Sequence, residues 1–246
     1  MIAPFLLAGS LAGPLACSGP AAPPVSRFHR SSASETLQFE TQARVVRRDR
    51  SVELVVLNKW TGARTVLSID PTAIALQLGS GRMDPVSVDA LNPYEIVVAG
   101  RASVSGEGVL VRVVLEMEPL ADRLPSIAEV EVLYQGTSFV DPIAMTHRTG
   151  TSSLFLIDRA SWSVVGFFLP AAAPYPIADG AAHPELAGLE ALAVTPYFVS
   201  GEDRPRGLQL RASKRPWSSR RPDLSKGQRT VLLTDTDRDG IVDRIR

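Results

Sequence analysis

From about residue 37 onward, the chain consists of short apolar runs in which apolar and polar positions alternate with a period of two. Runs of this kind, rich in Val, Ile, Leu and Phe and separated by Gly, Pro, Asp and Asn, predict β-strands joined by tight turns. The predicted strands are 53–57, 65–69, 74–78, 95–99, 109–115, 128–134, 143–146, 154–158, 163–169, 191–195, 208–211 and 230–233.

A helical spacing of apolar positions is not evident in this part of the chain. The best candidate for a short helix is 184–192, where Ala, Leu and Glu have good helix propensity. The pattern therefore predicts a single all-β domain over residues 37–246.

A faint internal repeat adds to this picture. Segments 52–69, 153–168 and 230–245 each read as an apolar strand, a polar turn and a second strand, with Asn58, Asp158 or Asp235 closing the first strand. Further strands follow Pro93 and Pro142, which lie about 50 residues apart. Periods of this length in a β-rich chain are typical of propeller blades.

The stretch 141–168 carries the repeat most clearly. One strand follows Asp141-Pro142, and the next ends in the phrase FLIDR at 155–159. This stretch resembles one blade of the propellers built from NHL or YVTN-type repeats. The resemblance implies a β-propeller with a funnel-shaped binding surface at one end and no fixed chemistry. There is room for about four or five blades, few for a closed ring, so a β-sandwich or an irregular antiparallel β domain is the alternative.

The N-terminal segment has the features of a leader. Residues 1–16 are apolar and small, and too short to span a bilayer comfortably. The single cysteine, Cys17, follows at once, and 13–17 resembles the lipobox of bacterial lipoproteins, a family in which this cysteine is lipidated. Residues 18–36, rich in Ser, Pro and Ala, indicate a disordered tether. The alternatives are a plain secretory signal and a cytosolic chain with an ordinary buried cysteine.

The C-terminal segment holds the clearest site chemistry. Aspartates at alternate positions, followed by Gly240 and another aspartate, are typical of a calcium loop, in which a backbone carbonyl also binds the ion. The spacing D-x-D-x-D-G-x-x-D resembles the loops of thrombospondin type 3 repeats, which implies structural calcium. A plain hairpin turn is the alternative. The candidate ligands are Asp235, Asp237, Asp239, Ile241 and Asp243.

Other chemistry finds little support. The formal net charge is zero, which removes a global electrostatic argument for nucleic acid or an anionic membrane. An arginine-rich stretch with Trp217, 204–229, is interpreted as a solvated loop rather than a polyanion site. His29, His147 and His183 lack metal-site spacing, and each is interpreted as an ordinary surface or loop histidine. No nucleophile elbow, P-loop or dinucleotide-binding glycine motif is present.

Two tryptophans, Trp60 and Trp162, take matching places in two of the hairpins. They are interpreted as caps on the core at hairpin ends, with stacking on sugars as the alternative use.

These patterns favour a non-enzymatic binding or scaffold protein of the cell envelope or a secreted one, and not a cytoplasmic protein. The expected partners are an unknown surface ligand or envelope protein, and the membrane through the lipid anchor, but no nucleic acid. Two alternatives stay open: a carbohydrate-active or lactonase-like enzyme on a propeller-like scaffold, and a fragment of a larger surface protein.

Overall fold

A computed structural model describes residues 31–46, 48, 50–79, 81–117, 124–148, 152–195, 209–213, 230–235, 242 and 244–245. These residues form four antiparallel sheets of four strands each, and strands adjacent in sequence are neighbours in every sheet. The sheets are arranged like the blades of a four-bladed β-propeller. The predicted fold class, all-β with propeller-like repeats, is therefore confirmed.

Each blade is a meander of four consecutive strands. Blade 1 contains β1 (Ser31–Glu35), β2 (Phe39–Val46), β3 (Ser51–Asn58) and β4 (Arg64–Ser68). Blade 2 contains β5 (Met83–Asn92), β6 (Glu95–Ala102), β7 (Gly108–Glu116) and β8 (Ser126–Gly136). Blade 3 contains β9 (Pro142–His147), β10 (Ser153–Asp158), β11 (Ser163–Phe168) and β12 (Ala173–Ala178). Blade 4 contains β13 (Ala191–Thr195), β14 (Gln209–Ser213), β15 (Thr230–Thr234) and β16 (Arg244–Ile245).

The first strands of neighbouring blades lie side by side, because β1 contacts β5, β5 contacts β9, and β9 contacts β13. First strands are therefore the inner strands, and fourth strands form the outer edges. In each meander the first-to-second and third-to-fourth turns lie at one end, here called the lower end. The second-to-third turn and the connection to the next blade lie at the opposite, upper end.

Apolar clusters fill three boundaries between blades. Because successive residues of a strand point to opposite faces, Leu154 joins one cluster and Phe155 the next. Between the described parts of blades 4 and 1 there is no such cluster. Representative members are Phe39 and Leu54 between blades 1 and 2, Phe139 and Phe167 between blades 2 and 3, and Ile177 and Leu192 between blades 3 and 4.

The predicted strand 74–78 is wrong, because this segment belongs to helix α1 (Pro71–Gln77). Asp70 caps the helix by accepting a hydrogen bond from the Thr72 N–H at 2.8 Å. The apolar residues at 74, 76 and 78 alternate as in a strand, but only Ile74 and Leu78 are buried and Leu76 is exposed. Burial at positions i and i+4 is the spacing of a helix. A short apolar run such as this one is therefore compatible with either a strand or a helix.

Helix α1 protects the outer edge of blade 2. The Gln77 side-chain amide donates to the Val130 carbonyl through Nε2, and its Oε1 accepts from the Val132 N–H at 2.7 Å. The amide thereby makes the two hydrogen bonds that a neighbouring strand would make. Strand β8, with 11 residues, is a long edge of the kind that otherwise invites pairing with another chain.

Two further expectations need correction. The predicted tether, 18–36, extends too far, because β1 pairs with β2 from Ser31 opposite Arg44 to Glu35 opposite Glu40; residues 18–30 lie outside the described part. The candidate helix 184–192 contains only a 3₁₀ turn, Pro184–Leu186, before β13 begins.

The hairpins that suggested a repeat are not all equivalent. Segments 52–69 and 230–245 contain the third and fourth strands of blades 1 and 4, whereas 153–168 contains the second and third strands of blade 3. The inner strands instead set the period. They begin at intervals of about 50 to 60 residues, at Ser31, Met83, Pro142 and Ala191.

Candidate functional site

A pocket of about 540 Å³ lies at the upper end of blade 3. Its walls come from four elements: the connection from blade 2, the β10–β11 turn, strand β11 and the outer strand β12. Thr137, Ser138 and Ser163 bring hydroxyl groups to it, while Val165 and Pro176 supply apolar surface. Connections carried on a rigid sheet are a common place for binding sites.

Asp158, at the end of β10, organises the walls of this pocket. The residue is only 3% exposed. Its Oδ1 accepts the N–H groups of Val140 at 3.1 Å and Asp141 at 2.7 Å. Its Oδ2 accepts the Ser161 N–H at 3.2 Å and the Ser161 hydroxyl at 2.8 Å. Since both oxygens are occupied within the fold, this carboxylate holds two loops in place and positions the pocket.

The β10–β11 turn contains an unusual backbone position. Trp162 has a φ of 55°, in the left-handed region that Gly62 and Gly106 occupy, each with a φ of 74°, in the turns of blades 1 and 2. A residue other than glycine is disfavoured there. Trp162 is nevertheless half-buried against the cluster between blades 3 and 4. Gly180 allows this packing, because a Cβ on it would lie 2.1 Å from the Ser161 carbonyl oxygen.

The two tryptophans compared from sequence therefore differ. Trp60 lies in a third-to-fourth strand turn and is 65% exposed, so its predicted role as a core cap is wrong. Trp162 lies in a second-to-third strand turn and does pack on the core. Stacking on sugars stays a prediction for both residues.

A second polar cluster joins the inner strands of blades 1, 2 and 3. The Ser32 hydroxyl donates to Asp89 Oδ1 at 2.8 Å and accepts the Ala90 N–H at 3.0 Å. Asp89 Oδ2 lies 2.8 Å from His147 Nδ1. Asp89 is only 7% exposed, so its charge is balanced by these two partners rather than by water. One carboxylate thereby links three blades.

The hydrogen bond to Asp89 raises the pKa of His147 above its ordinary value of 6.5, although partial burial of the ring acts in the opposite direction. The geometry makes Nδ1–H the donor to the carboxylate. The sequence interpretation of His147 as an ordinary surface or loop histidine is therefore wrong. No local spacing signals this contact, because Asp89 and His147 are 58 residues apart in the chain.

Most of the predicted site residues lie outside the described part of the chain. These are Cys17, Asp237, Asp239, Ile241 and Asp243. Asp235 follows β15 at the lower end of blade 4 and is buried, with only 3% of its surface exposed. Among the described side chains, no group of three or more His, Cys, Asp or Glu could hold a metal ion. The calcium site and the lipidated cysteine stay predictions.

The remaining candidates contribute little. His183 Nδ1 lies 3.5 Å from Glu185 Oε1, and both side chains are about one third exposed, so this is a weak surface pair. His29 lies outside the described residues, as does most of 204–229. Arg211 is an exception and lies in β14.

No protein-family model matches the chain, and no curated protein matches it. Within the described residues, no helix is both long and apolar enough to cross a membrane.

Proposed function

We propose that this chain is a non-enzymatic binding or scaffold protein of the cell envelope or the extracellular space. The observation that carries the proposal is the blade 3 pocket, whose loops are fixed by Asp158 before any ligand arrives. Preformed walls reduce the ordering cost of binding. A volume of about 540 Å³ lies within the range of small-molecule sites.

The lining supports a small, largely uncharged ligand. Thr137 and Ser138 are exposed, and their hydroxyls make no hydrogen bond with the described residues. The Ser163 hydroxyl accepts the Gly180 N–H at 3.1 Å and keeps its own proton for donation. Next to them, Val165 and Pro176 form an apolar wall. Hydroxyls beside apolar surface suit a molecule bearing hydroxyl or amide groups, such as a short saccharide or a peptide.

Thermal melts of the full chain with mono- and disaccharides and short peptides test this proposal. We expect at least one compound to raise the melting temperature, because binding to the folded state stabilises it. Ser138→Trp fills the pocket and should abolish the shift. Val104→Trp, an exposed site at the upper end of blade 2, is the matched control. If no compound shifts the melt, or if Ser138→Trp keeps the shift, the pocket is not the ligand site.

The envelope location has its own test. Cys17, in its lipobox-like setting, would carry the anchor, and the tether would connect it to blade 1. Cells fed labelled palmitate should incorporate label into the wild type but not into Cys17→Ser, and only the wild type should stay in the membrane fraction. If the wild type takes up no label, the lipid anchor is contradicted, and secretion without an anchor is the remaining proposal.

Calcium is proposed as a structural ion at the lower end of blade 4, where Asp235 ends β15. Ligands from the loop that follows would tie β16 to the blade. The melting temperature of the full chain should rise with millimolar calcium relative to excess chelator, and Asp237→Ala should remove that rise. If the melting temperature is the same with calcium and with chelator, the aspartates belong to a plain turn that binds no ion.

A further inference from the structure

Large apolar side chains are exposed mainly at the lower end of the propeller. Leu76 lies in helix α1 along the outer edge of blade 2, Val104 lies at the upper end, and Val66 lies within β4. The other exposed large apolar side chains of the described chain lie in turns, connections or a strand end at the lower end. These are Leu37, Trp60, Tyr94, Leu124 and Phe168, from blades 1, 2 and 3.

Two of these side chains are presented by firmly held turns. Leu37 is 92% exposed in the β1–β2 turn, and Trp60 is 65% exposed in the β3–β4 turn. Lys59 connects the two turns, because its N–H donates to the Gln38 carbonyl at 2.7 Å and its ammonium group contacts Glu35 at 2.5 Å. The folded backbone therefore holds these apolar side chains in water, where they contribute no burial free energy to folding.

We propose that the lower end of the propeller docks on the surface of a lipid bilayer, with Leu37, Trp60, Leu124 and Phe168 entering the region between headgroups and acyl chains. These side chains come from two turns, a connection and a strand end in three separate blades rather than from one groove. A bilayer accepts separated apolar side chains, whereas a folded partner would need a matching set of pockets. Tryptophan is also favoured at the boundary between lipid and water.

The length of chain between the predicted anchor and the domain favours the same occupant. This step rests on the proposed lipidation of Cys17. Residues 18–30 separate that cysteine from Ser31, and fully extended they reach at most about 45 Å. Ser31 begins β1 at the upper end, but the extended tether is longer than the roughly 17 Å of this five-residue strand, so the lower end can still turn toward the bilayer. The anchor gives the domain a high effective concentration at the bilayer surface, so the weak insertion of a few side chains is sufficient for docking.

Vesicle sedimentation tests the docking surface without the anchor. The full chain carrying Cys17→Ser is mixed with vesicles of phosphatidylethanolamine and phosphatidylglycerol and centrifuged. We expect this protein to sediment with the vesicles, and adding Leu37→Ser and Trp60→Ser should weaken partitioning about tenfold or more. The matched control, Leu76→Ser with Val104→Ser, removes two exposed apolar side chains that lie away from the lower end and should leave binding unchanged. Melting temperatures within about a degree of each other would show that all variants fold.

Two results would overturn the proposal. One is that the Cys17→Ser protein does not sediment with the vesicles. The other is that the lower-end double variant and the control double variant lose vesicle binding to the same extent. If the Cys17→Ser protein does not bind vesicles but forms a dimer, and Leu37→Ser with Trp60→Ser dissociates that dimer, the lower end is a contact between copies of this chain instead. The anchor is tested separately. If wild-type Cys17 takes up no palmitate label, the lipid anchor is absent, but vesicle binding by the lower end is still supported by the sedimentation result.

Discussion

The two faces of the blade 1 sheet differ, although the same strands supply both. The face toward blade 2 carries Phe39, Leu54 and Val56, all essentially inaccessible to solvent. The opposite face carries charged and polar side chains around Val55 and Leu57, and a shallow pocket of about 340 Å³ lies on it. These polar side chains are Glu40, Gln42, Arg44, Glu53 and Arg64.

The difference shows where the ring obtains its stability. Blades 2 and 3 have apolar clusters on both faces, whereas in the described residues blade 1 has one on a single face. Stability should therefore be concentrated at the three apolar boundaries. The polar face of blade 1 should tolerate substitution.

The largest effect is expected for Phe39→Ala, on the apolar face. Phe39 is 2% exposed and packs edge-on against Tyr94, with ring centroids 6.1 Å apart. Removing a buried phenylalanine typically costs about 3 to 5 kcal/mol of unfolding free energy. Urea unfolding of the full chain measures it, and a loss below about 1 kcal/mol would mean that this boundary is not a core.

An intermediate effect is expected at the polar link between blades, where His147→Gln removes the contact with Asp89. A hydrogen bond involving a charged group contributes about 1 to 3 kcal/mol. The pKa of His147 is raised in the folded state. Its contribution is therefore fully present below the unfolded value of 6.5 and is lost as pH rises through the higher folded value. The loss caused by His147→Gln should be larger at pH 5.5 than at pH 8.5.

His183→Gln is the matched control for that experiment. Its partner Glu185 lies 3.5 Å away on the surface, so the substitution should change stability little at either pH. If the loss for His147→Gln does not vary with pH, the histidine acts only as a neutral spacer beside Asp89.

The smallest effect is expected on the polar face of blade 1. Val66 lies in β4, is 56% exposed, and belongs to the face opposite the apolar cluster. Val66→Ala should change the unfolding free energy by no more than about 0.5 kcal/mol. A loss as large as that for Phe39→Ala would show that this face is covered in solution, and the two faces would then be alike.

Much of the fold could be predicted from sequence because most strands alternate clearly. Strand β13 matches its prediction at both ends, and β7 within one residue at each end. Two of the missed strands, β5 and β12, have visible physical reasons. In β5, Pro85 precedes a register shift, and in β12 the alternation is obscured by Pro174 and Pro176, which suit an edge strand. Proline and bulges weaken the pattern without preventing the strand.

The candidate site was far less predictable. Asp158 was recognised as the end of a strand, but its hydrogen bonds to Val140 and Asp141 cross to another loop. Ser32 fell within the expected tether, and its contact with Asp89 spans 57 residues. Such contacts arise from the ring arrangement, which places inner strands of different blades side by side. No short motif in the chain encodes them.

The side-chain amide of Gln77 has a consequence for how these molecules behave when crowded. It occupies the carbonyl of Val130 and the N–H of Val132, which a strand from a second molecule would need for joining the two sheets into one. On the rim of blade 3, Pro174 and Pro176 lack the N–H groups for the same purpose. At these positions the rims of the two blades therefore offer a strand from another molecule fewer backbone groups to pair with, which hinders fibre growth.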